Sequence, residues 1–134
     1  YILSDIERAD ALCTEATESL QNILTKKHQL SPEAIEDLCG GLAIIEDMYR
    51  SVLDVIRTGN GEDARKIVHK KDNVLDLTLR LRKNHMKRVK KGACDAEMTN
   101  DFTKILHSFD RISNSCANIA DAALTGVSFE SVLK

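Results

Sequence analysis

Phe102, Ile105, Phe109, Ile112, Cys116, Ile119 and Ala123 recur at spacings of three and four. Only an α-helix brings residues so spaced onto one face, because a strand scatters them over both sides of a sheet. Asp110, Asn114, Asn118 and Asp121 are expected on the far side of the same helix. There, four short polar side chains either offer their oxygens to a common ligand or simply meet water.

The same spacing recurs three more times. Ile6, Ala9, Cys13, Ala16, Leu20 and Ile23 predict a first helix over about residues 2–28. Ser31-Pro32 restarts the chain, since Ser is a preferred N-cap and Pro is tolerated at the first helical position. Ile35, Leu38, Leu42, Ile45, Tyr49, Val52 and Ile56 then mark a second helix, ended by Gly59-Asn60-Gly61. A third spans roughly 62–91 up to Gly92, and Asp95 is the expected N-cap of the fourth, which reaches about Leu124. Helices of similar length with short connections predict an all-α fold, an antiparallel up-down four-helix bundle made of two helical hairpins. The bundle domain is expected over residues 1–126, with 127–134 as a C-terminal tail.

Composition agrees with one domain. The chain has 134 residues, 43% hydrophobic and 30% charged, and only 4% aromatic with no Trp, so its core must be aliphatic. No apolar run is long enough to cross a bilayer and no signal peptide opens the chain. Because the first residue is Tyr1 and periodicity begins at once, the chain reads as an excised piece of a longer protein. Cys13, Cys39, Cys94 and Cys116 form no CxxC pair, which points to reduced thiols in a cytoplasmic setting rather than a disulfide scaffold or zinc site.

Charge is uneven. Residues 1–60 hold 5 Lys+Arg against 11 Asp+Glu, and residues 61–134 hold 14 against 10. The cations concentrate in RLRKNHMKRVKK, where Arg80, Arg82, Lys83, Lys87, Arg88, Lys90 and Lys91 crowd a helix end. They complement the helix dipole there, or form a surface for anionic lipid headgroups or phosphate-bearing ligands. Nucleic acid is not an expected partner, because no aromatic side chain interleaves the charges.

Two places break the pattern. Gly40-Gly41 lies inside the second helix, where a close helix crossing or a kink would justify it. In the third helix Ile67, Val74, Leu77 and Leu81 form one stripe and Val68, Leu75, Leu79 and Met86 another, with Lys71, Thr78 and His85 between them. This is a wide core face with locally satisfied polar residues, or a face for a second protein or domain, or, third, a cofactor site built on His85.

Catalysis has little to stand on. His28, His69, His85 and His107 show neither HxxxH nor ExxH spacing, and no phosphate loop or nucleophile elbow is present. The remaining chemistry is carboxylates a turn apart. Asp72 and Asp76 on the third helix, with Asp110 and Asn114 on the fourth, have the spacing that lets oxygen ligands share a helix face around a divalent or ferric cation. Outer-face acids at such spacing are more often simply solvated.

At this point the residues resemble a family. FDRISNSCANIAD is similar to the ERIGDxxxNIAE signature of PhoU proteins, the helical regulators of bacterial phosphate uptake, matching at Asp110, Arg111, Ile112, Asn118, Ile119, Ala120 and Asp121. The upstream KKDNVLDLTLRL resembles that family's acid-x-x-apolar-Asp helix. The likeness covers about residues 62–126. IIEDMYRSVLDVI resembles the family less closely, Tyr49 standing where PhoU proteins have Glu.

The resemblance implies an all-helical, non-enzymatic regulatory domain with no required cofactor. In PhoU proteins the E/DxxxD motifs can hold iron, zinc or other metals, which by the resemblance points to Asp76, Asp110 and Asn114 with Asp72 beside them. Asn114 stands where the family has a second aspartate, which removes a charge and weakens a donor. A similar domain is fused behind the membrane part of bacterial sodium/phosphate cotransporters. The expected partner is therefore the transport domain of the same chain or a transporter subunit, on the cytoplasmic side of the inner membrane, with an anionic membrane surface or a homodimer as further contacts. The alternatives are a free-standing phosphate-signalling adaptor that touches a transporter ATPase and a sensor kinase, a metal-binding helical protein, and an unrelated helical interaction module.

Overall fold

The computed structural model describes residues 2–25 and 31–125. Four helices account for nearly all of them: α1 (Ile2–Thr25), α2 (Pro32–Thr58), α3 (Gly61–Lys90) and α4 (Thr99–Leu124), with a short 3-10 turn at Ala96–Met98 before α4. No strand occurs among the described residues, so the all-α four-helix bundle expected from periodicity is the observed fold. The expected tail at 127–134, the end of the first helix at 26–28 and Gly126 lie outside the described residues.

The helix boundaries have local causes. Ser31 accepts a hydrogen bond from the Ala34 amide at 3.2 Å and Pro32 opens α2 without losing a needed donor. Gly59 closes the helix in the left-handed region at φ 69°, its amide returning to the Val55 carbonyl. One residue later Asn60 Oδ1 accepts from the amides of Glu62 and Asp63 and starts α3. Asp95 was expected to cap the fourth helix, but it precedes the 3-10 turn and makes no side-chain capping bond to it, while α4 begins at Thr99. The tight turn needs fewer orphan amides satisfied than a full helix, so it can precede α4 without that cap.

α4 is the central element. It packs along α3 and α1 and also meets α2, whereas α1 and α2, consecutive in the chain, scarcely touch. The two halves are therefore unequal: α3 and α4 form a tight hairpin, and α1 lies on α4 instead of pairing closely with α2. An apolar cleft of ≈ 200 Å3 is left between α1 and α2, floored by Ile105, Phe109 and Ile112 of α4.

This arrangement corrects the reading of α4 as half core and half polar back. Beyond the Phe102 to Ile119 stripe, Leu106, Ser108, Ser113, Ser115 and Ala117 are buried as well. Only a narrow strip of Asn100, Lys104, His107, Arg111, Asn114, Asn118 and Asp121 stays exposed. A helix with neighbours on three sides must bury a wide arc, and small Ser and Ala side chains let those neighbours approach. The seam of α1 also shifts by a fraction of a turn: Ala9, Leu12, Ser19 and Ile23 are buried and Cys13 is exposed. Burial pushes the Cys116 thiol up to about 12, leaving it a small core side chain at neutral pH.

The glycine pair divides into two different cases. A Cβ on Gly41 would lie 2.7 Å from the Phe109 ring, so this glycine permits the close crossing of α2 over α4. Gly40 has open space around it, and nothing in the structure explains it.

Candidate functional site

In α3 the residues between the two apolar stripes prove to be the seam itself. Ala64, Ile67, Val74, Thr78, Leu81 and His85 are buried at spacings of three, seven, four, three and four, the pattern of a heptad seam. Lys71 shares the register but remains exposed. Leu75, Leu79 and Met86 correspondingly turn outward and are exposed. Two polar side chains in such a seam need partners, and α4 with its preceding turn supplies them.

Thr78, 0% exposed, places its hydroxyl 2.6 Å from Asp110 Oδ1 and 3.0 Å from the Leu75 carbonyl. Asp110 is consequently drawn toward α3 and half-buried, not carried on a wet outer face as its place in the helix pattern suggested. Burial raises the carboxyl pKa above its ordinary value, opposed by the Thr78 hydrogen bond and by the positive charges of Arg82 and His107 nearby. Arg82 is itself half-buried, and its Nε has no hydrogen-bond partner among the described residues.

Two turns further along α3, His85 is 1% exposed and stacks on Phe102, ring centroids 4.3 Å apart and planes 11° from parallel. Its Nε2 lies 3.1 Å from Thr99 Oγ1, while Nδ1 is buried without a partner among the described residues. The tautomer that donates from Nε2 to Thr99 is favoured, because it leaves a bare lone pair in the core instead of an unmade N–H. Desolvation, and secondarily the charge of Arg88, push the imidazole pKa below its ordinary value, so His85 is a neutral core residue.

These placements decide what the expected metal donors can do. Asp72 and Asp76 are exposed on α3 and Asn114 is exposed on α4, but Asp110 is engaged by Thr78 with Arg82 at hand. The three carboxylates do not converge, and no group of three or more His, Cys, Asp or Glu able to hold a metal ion is found among the described residues. An oxygen that accepts a 2.6 Å hydrogen bond in a half-buried niche beside a guanidinium is a poor ligand for a cation. The donor set therefore does not fit a metal cluster.

The basic group also divides. Arg80, Lys83, Lys87, Lys90 and Lys91 are exposed and follow one another at helical spacings, giving a cationic strip beside exposed Leu79 and Met86. Arg88 does not belong to that strip. Its guanidinium lies 3.0 Å from Asp37 of α2 and 6.0 Å from the centre of the Phe102 ring, with the side chain only 15% exposed. It ties the C-terminal end of α3 to the start of α2. Such a tie could be read only from the fold, since 51 residues separate the pair.

The seam positions of Thr78 and His85 were the functional signal that stripe-counting underweighted: both fall on the heptad that starts at Ala64, and both face polar residues of the opposite helix. Among the described residues the arrangement brings together no group of three or more His, Cys, Asp or Glu as clustered ligands. It presents surfaces, an exposed cationic strip and an apolar cleft, on a helical frame. No helix among the described residues is long and apolar enough to cross a membrane.

Comparison with known proteins gives one result. The PhoU domain family profile matches residues 41–123, from the Gly41 crossing through almost all of α4. The match takes in IIEDMYRSVLDVI, so the likeness reaches further toward the N-terminus than the third and fourth helices. No curated protein and no solved structure matches the chain. Over more than half of its length, and with the helical architecture that the family has, this chain belongs to the PhoU domain family.

Proposed function

We propose that this domain regulates a sodium-dependent phosphate transporter, acting by contact with the transport domain of the same chain or with a transporter subunit. The family match over residues 41–123 carries the proposal, because PhoU domains serve phosphate-related regulation and are not enzymes. The exposed strip of Arg80, Lys83, Lys87 and Lys90, with Lys91 just past the helix end, supports it, as a charged helix surface suits recognition more than chemistry. Regulation by contact requires that the domain bind two states of the transporter with different affinity; equal affinity would shift nothing. On the cytoplasmic side of a membrane the same strip would also lie within reach of anionic headgroups.

The test is phosphate uptake by cells expressing the full-length gene product, compared with a form lacking this domain and with an Arg80→Glu/Lys83→Glu/Lys87→Glu variant. The expected outcome is a changed maximal uptake rate or apparent phosphate affinity on deletion, with the triple variant moving in the same direction. Uptake identical in all three would remove the proposal. A full-length gene with no membrane-spanning segments would shift the same regulatory role to a separate adaptor.

A further inference from the structure

The outer face of α3 combines exposed apolar side chains with unpaired cations. Leu79 and Met86 are 51% and 41% exposed, and the exposed Lys83, Lys87 and Lys90 stand beside them. At about 100° per residue these five side chains fall within an arc of about 100°. Lys70 and Arg88, which pair with Asp47 and Asp37 of α2, lie nine residues on either side of Leu79 and hence about 180° round the helix from it. The face therefore looks away from α2. Arg82 and His107 both lie close enough to Asp110 to oppose the rise in its pKa, which sets the exposed strip of α4, with Lys104 a turn before His107, beside this side of α3.

These cations have no acids to neutralise them. Residues 77–94 hold seven Lys and Arg and no Asp or Glu. Elsewhere on the surface Arg50, Arg57, Lys66 and Lys70 each have an acidic partner within 4.0 Å, but among the described residues Lys83, Lys87, Lys90, Lys91 and Lys104 have none. Of the acids around the face, Asp110 is taken by Thr78, Asp95 and Glu97 have other partners, and Asp76 bounds the face one turn before Leu79. The whole chain has a net charge of −2, and residues 1–60 hold 5 Lys+Arg against 11 Asp+Glu. An anionic surface is thus attracted on this side of the protein and repelled from the side of α1 and α2.

From these observations we infer that the outer face of α3 docks on an anionic membrane surface, with Leu79 and Met86 entering the headgroup boundary and Lys83, Lys87, Lys90, Lys91 and Lys104 over the lipid phosphates and carboxylates. The inference rests on the reading that the domain works beside a transporter, and it names the surface that orients the domain there, with α2 turned away from the lipid. The face is the convex side of a helix; the cleft between α1 and α2 and the hollow lined by Ile44, Lys70 and Leu77 open on other sides. Protein contacts centre on Trp, Tyr or Arg anchors held in pockets, whereas this face offers Leu, Met and Lys. Lysine is a mobile point charge whose stem lies along apolar surface while its ammonium stays in water, which suits a fluid array of anions more than the fixed carboxylates of a folded partner. Each basic residue close to such a surface tightens partitioning by about fivefold.

The test is co-sedimentation of the protein with phosphatidylcholine vesicles that contain or lack phosphatidylserine. Binding should be at least about tenfold tighter to the vesicles with phosphatidylserine and should weaken as salt rises. Lys83→Gln/Lys87→Gln should weaken it by about twentyfold, and Leu79→Ser/Met86→Ser by a few-fold. Arg50→Gln/Arg57→Gln removes the same charge from α2 and should leave binding within about twofold of the wild type. All six substituted residues are exposed, so each variant should keep the circular dichroism of the parent.

No preference for phosphatidylserine, equal losses in the two charge-neutralised pairs, or binding unchanged in Lys83→Gln/Lys87→Gln would overturn the inference. So would release by inorganic phosphate beyond that caused by chloride at the same ionic strength, since the face would then hold free phosphate. Vesicles left unbound while a synthetic helix of Glu and Leu binds, and is lost in Lys83→Gln/Lys87→Gln, would assign the face to an acidic protein instead. These outcomes are separate from the uptake experiment: deletion of the domain can alter transport although α3 ignores vesicles, and vesicle binding can hold in a domain whose loss leaves uptake unchanged.

Discussion

Substituting each of the two adjacent glycines of α2 by Ala should change stability in opposite directions. Both lie in a helix interior, where Gly→Ala contributes roughly 1 kcal/mol through helix propensity. At Gly40 nothing opposes that gain, because no heavy atom stands within 4 Å of the new Cβ. At Gly41 the Cβ would meet Phe109 Cε2 at 2.7 Å and Cδ2 at 3.1 Å. The Phe109 ring is buried on the floor beneath α2 and cannot swing into solvent, so α2 and α4 must move apart or the ring must leave its rotamer. Overpacking of this kind costs about 1–3 kcal/mol. Gly40→Ala should therefore stabilise by roughly 1 kcal/mol, and Gly41→Ala should destabilise by about 0–2 kcal/mol after the propensity gain is subtracted. Because propensity is common to both, the difference between the variants, about 1–3 kcal/mol, isolates the steric contribution. Urea unfolding followed by far-UV circular dichroism measures it, and trimming the ring with Phe109→Leu in the Gly41→Ala background should recover part of the loss. If both variants stabilise by the same amount, α2 does not cross α4 at Gly41 and the packing argument fails.

Three further outcomes follow from individual contacts. Burial raises the folded-state pKa of Asp110, so its contribution to stability is present below the ordinary carboxylate pKa and is lost as pH rises through the folded value; Asp110→Asn, which keeps an acceptor for Thr78, should gain on the wild type between acid and neutral pH, and a gap that stays constant with pH would refute the assignment. His85 has the opposite sign: its folded pKa is lowered, so stability present above the ordinary imidazole value is lost as pH falls below it, and chemical denaturation at several pH values should show that loss disappear in His85→Gln. Ser31→Ala removes the acceptor for the Ala34 amide and should cost about 0.5–2 kcal/mol, which a thermal melt detects; an unchanged midpoint would mean the cap is replaced by water.

The fold was legible in the sequence because helix formation is governed by local periodicity and punctuation. Stripes at three and four, Ser31-Pro32, Gly59 and Gly92 place the four helices to within a few residues, with φ of 69° and 74° at the two glycines confirming why glycine stands there. The family signature around Asp110 to Asp121 was legible for the same reason, as a contiguous string. What resisted was the phase of each stripe around its helix axis. Leu42 and Ile35 continue the apolar pattern of α2 as well as Gly41 and Ala34 do, and only the packing of α2 on α3 and α4, with α1 standing off, leaves the former exposed and the latter buried.

Asp110 shows the limit most clearly. From the chain alone it is one acid among four polar residues on a helix back, and its partner Thr78 lies 32 residues away. Whether such a residue meets water, a metal or a hydroxyl depends on how far α4 is enclosed, and that is a property of three neighbouring helices together. Local order along the chain thus sets which segments are helical and where they end, since backbone hydrogen bonds within a helix join near neighbours. The central place of α4, the capture of Asp110 and Arg88, and the open groove beside α1 arise only when the helices pack, because burial and charge pairing join residues distant in sequence and are resolved only in three dimensions.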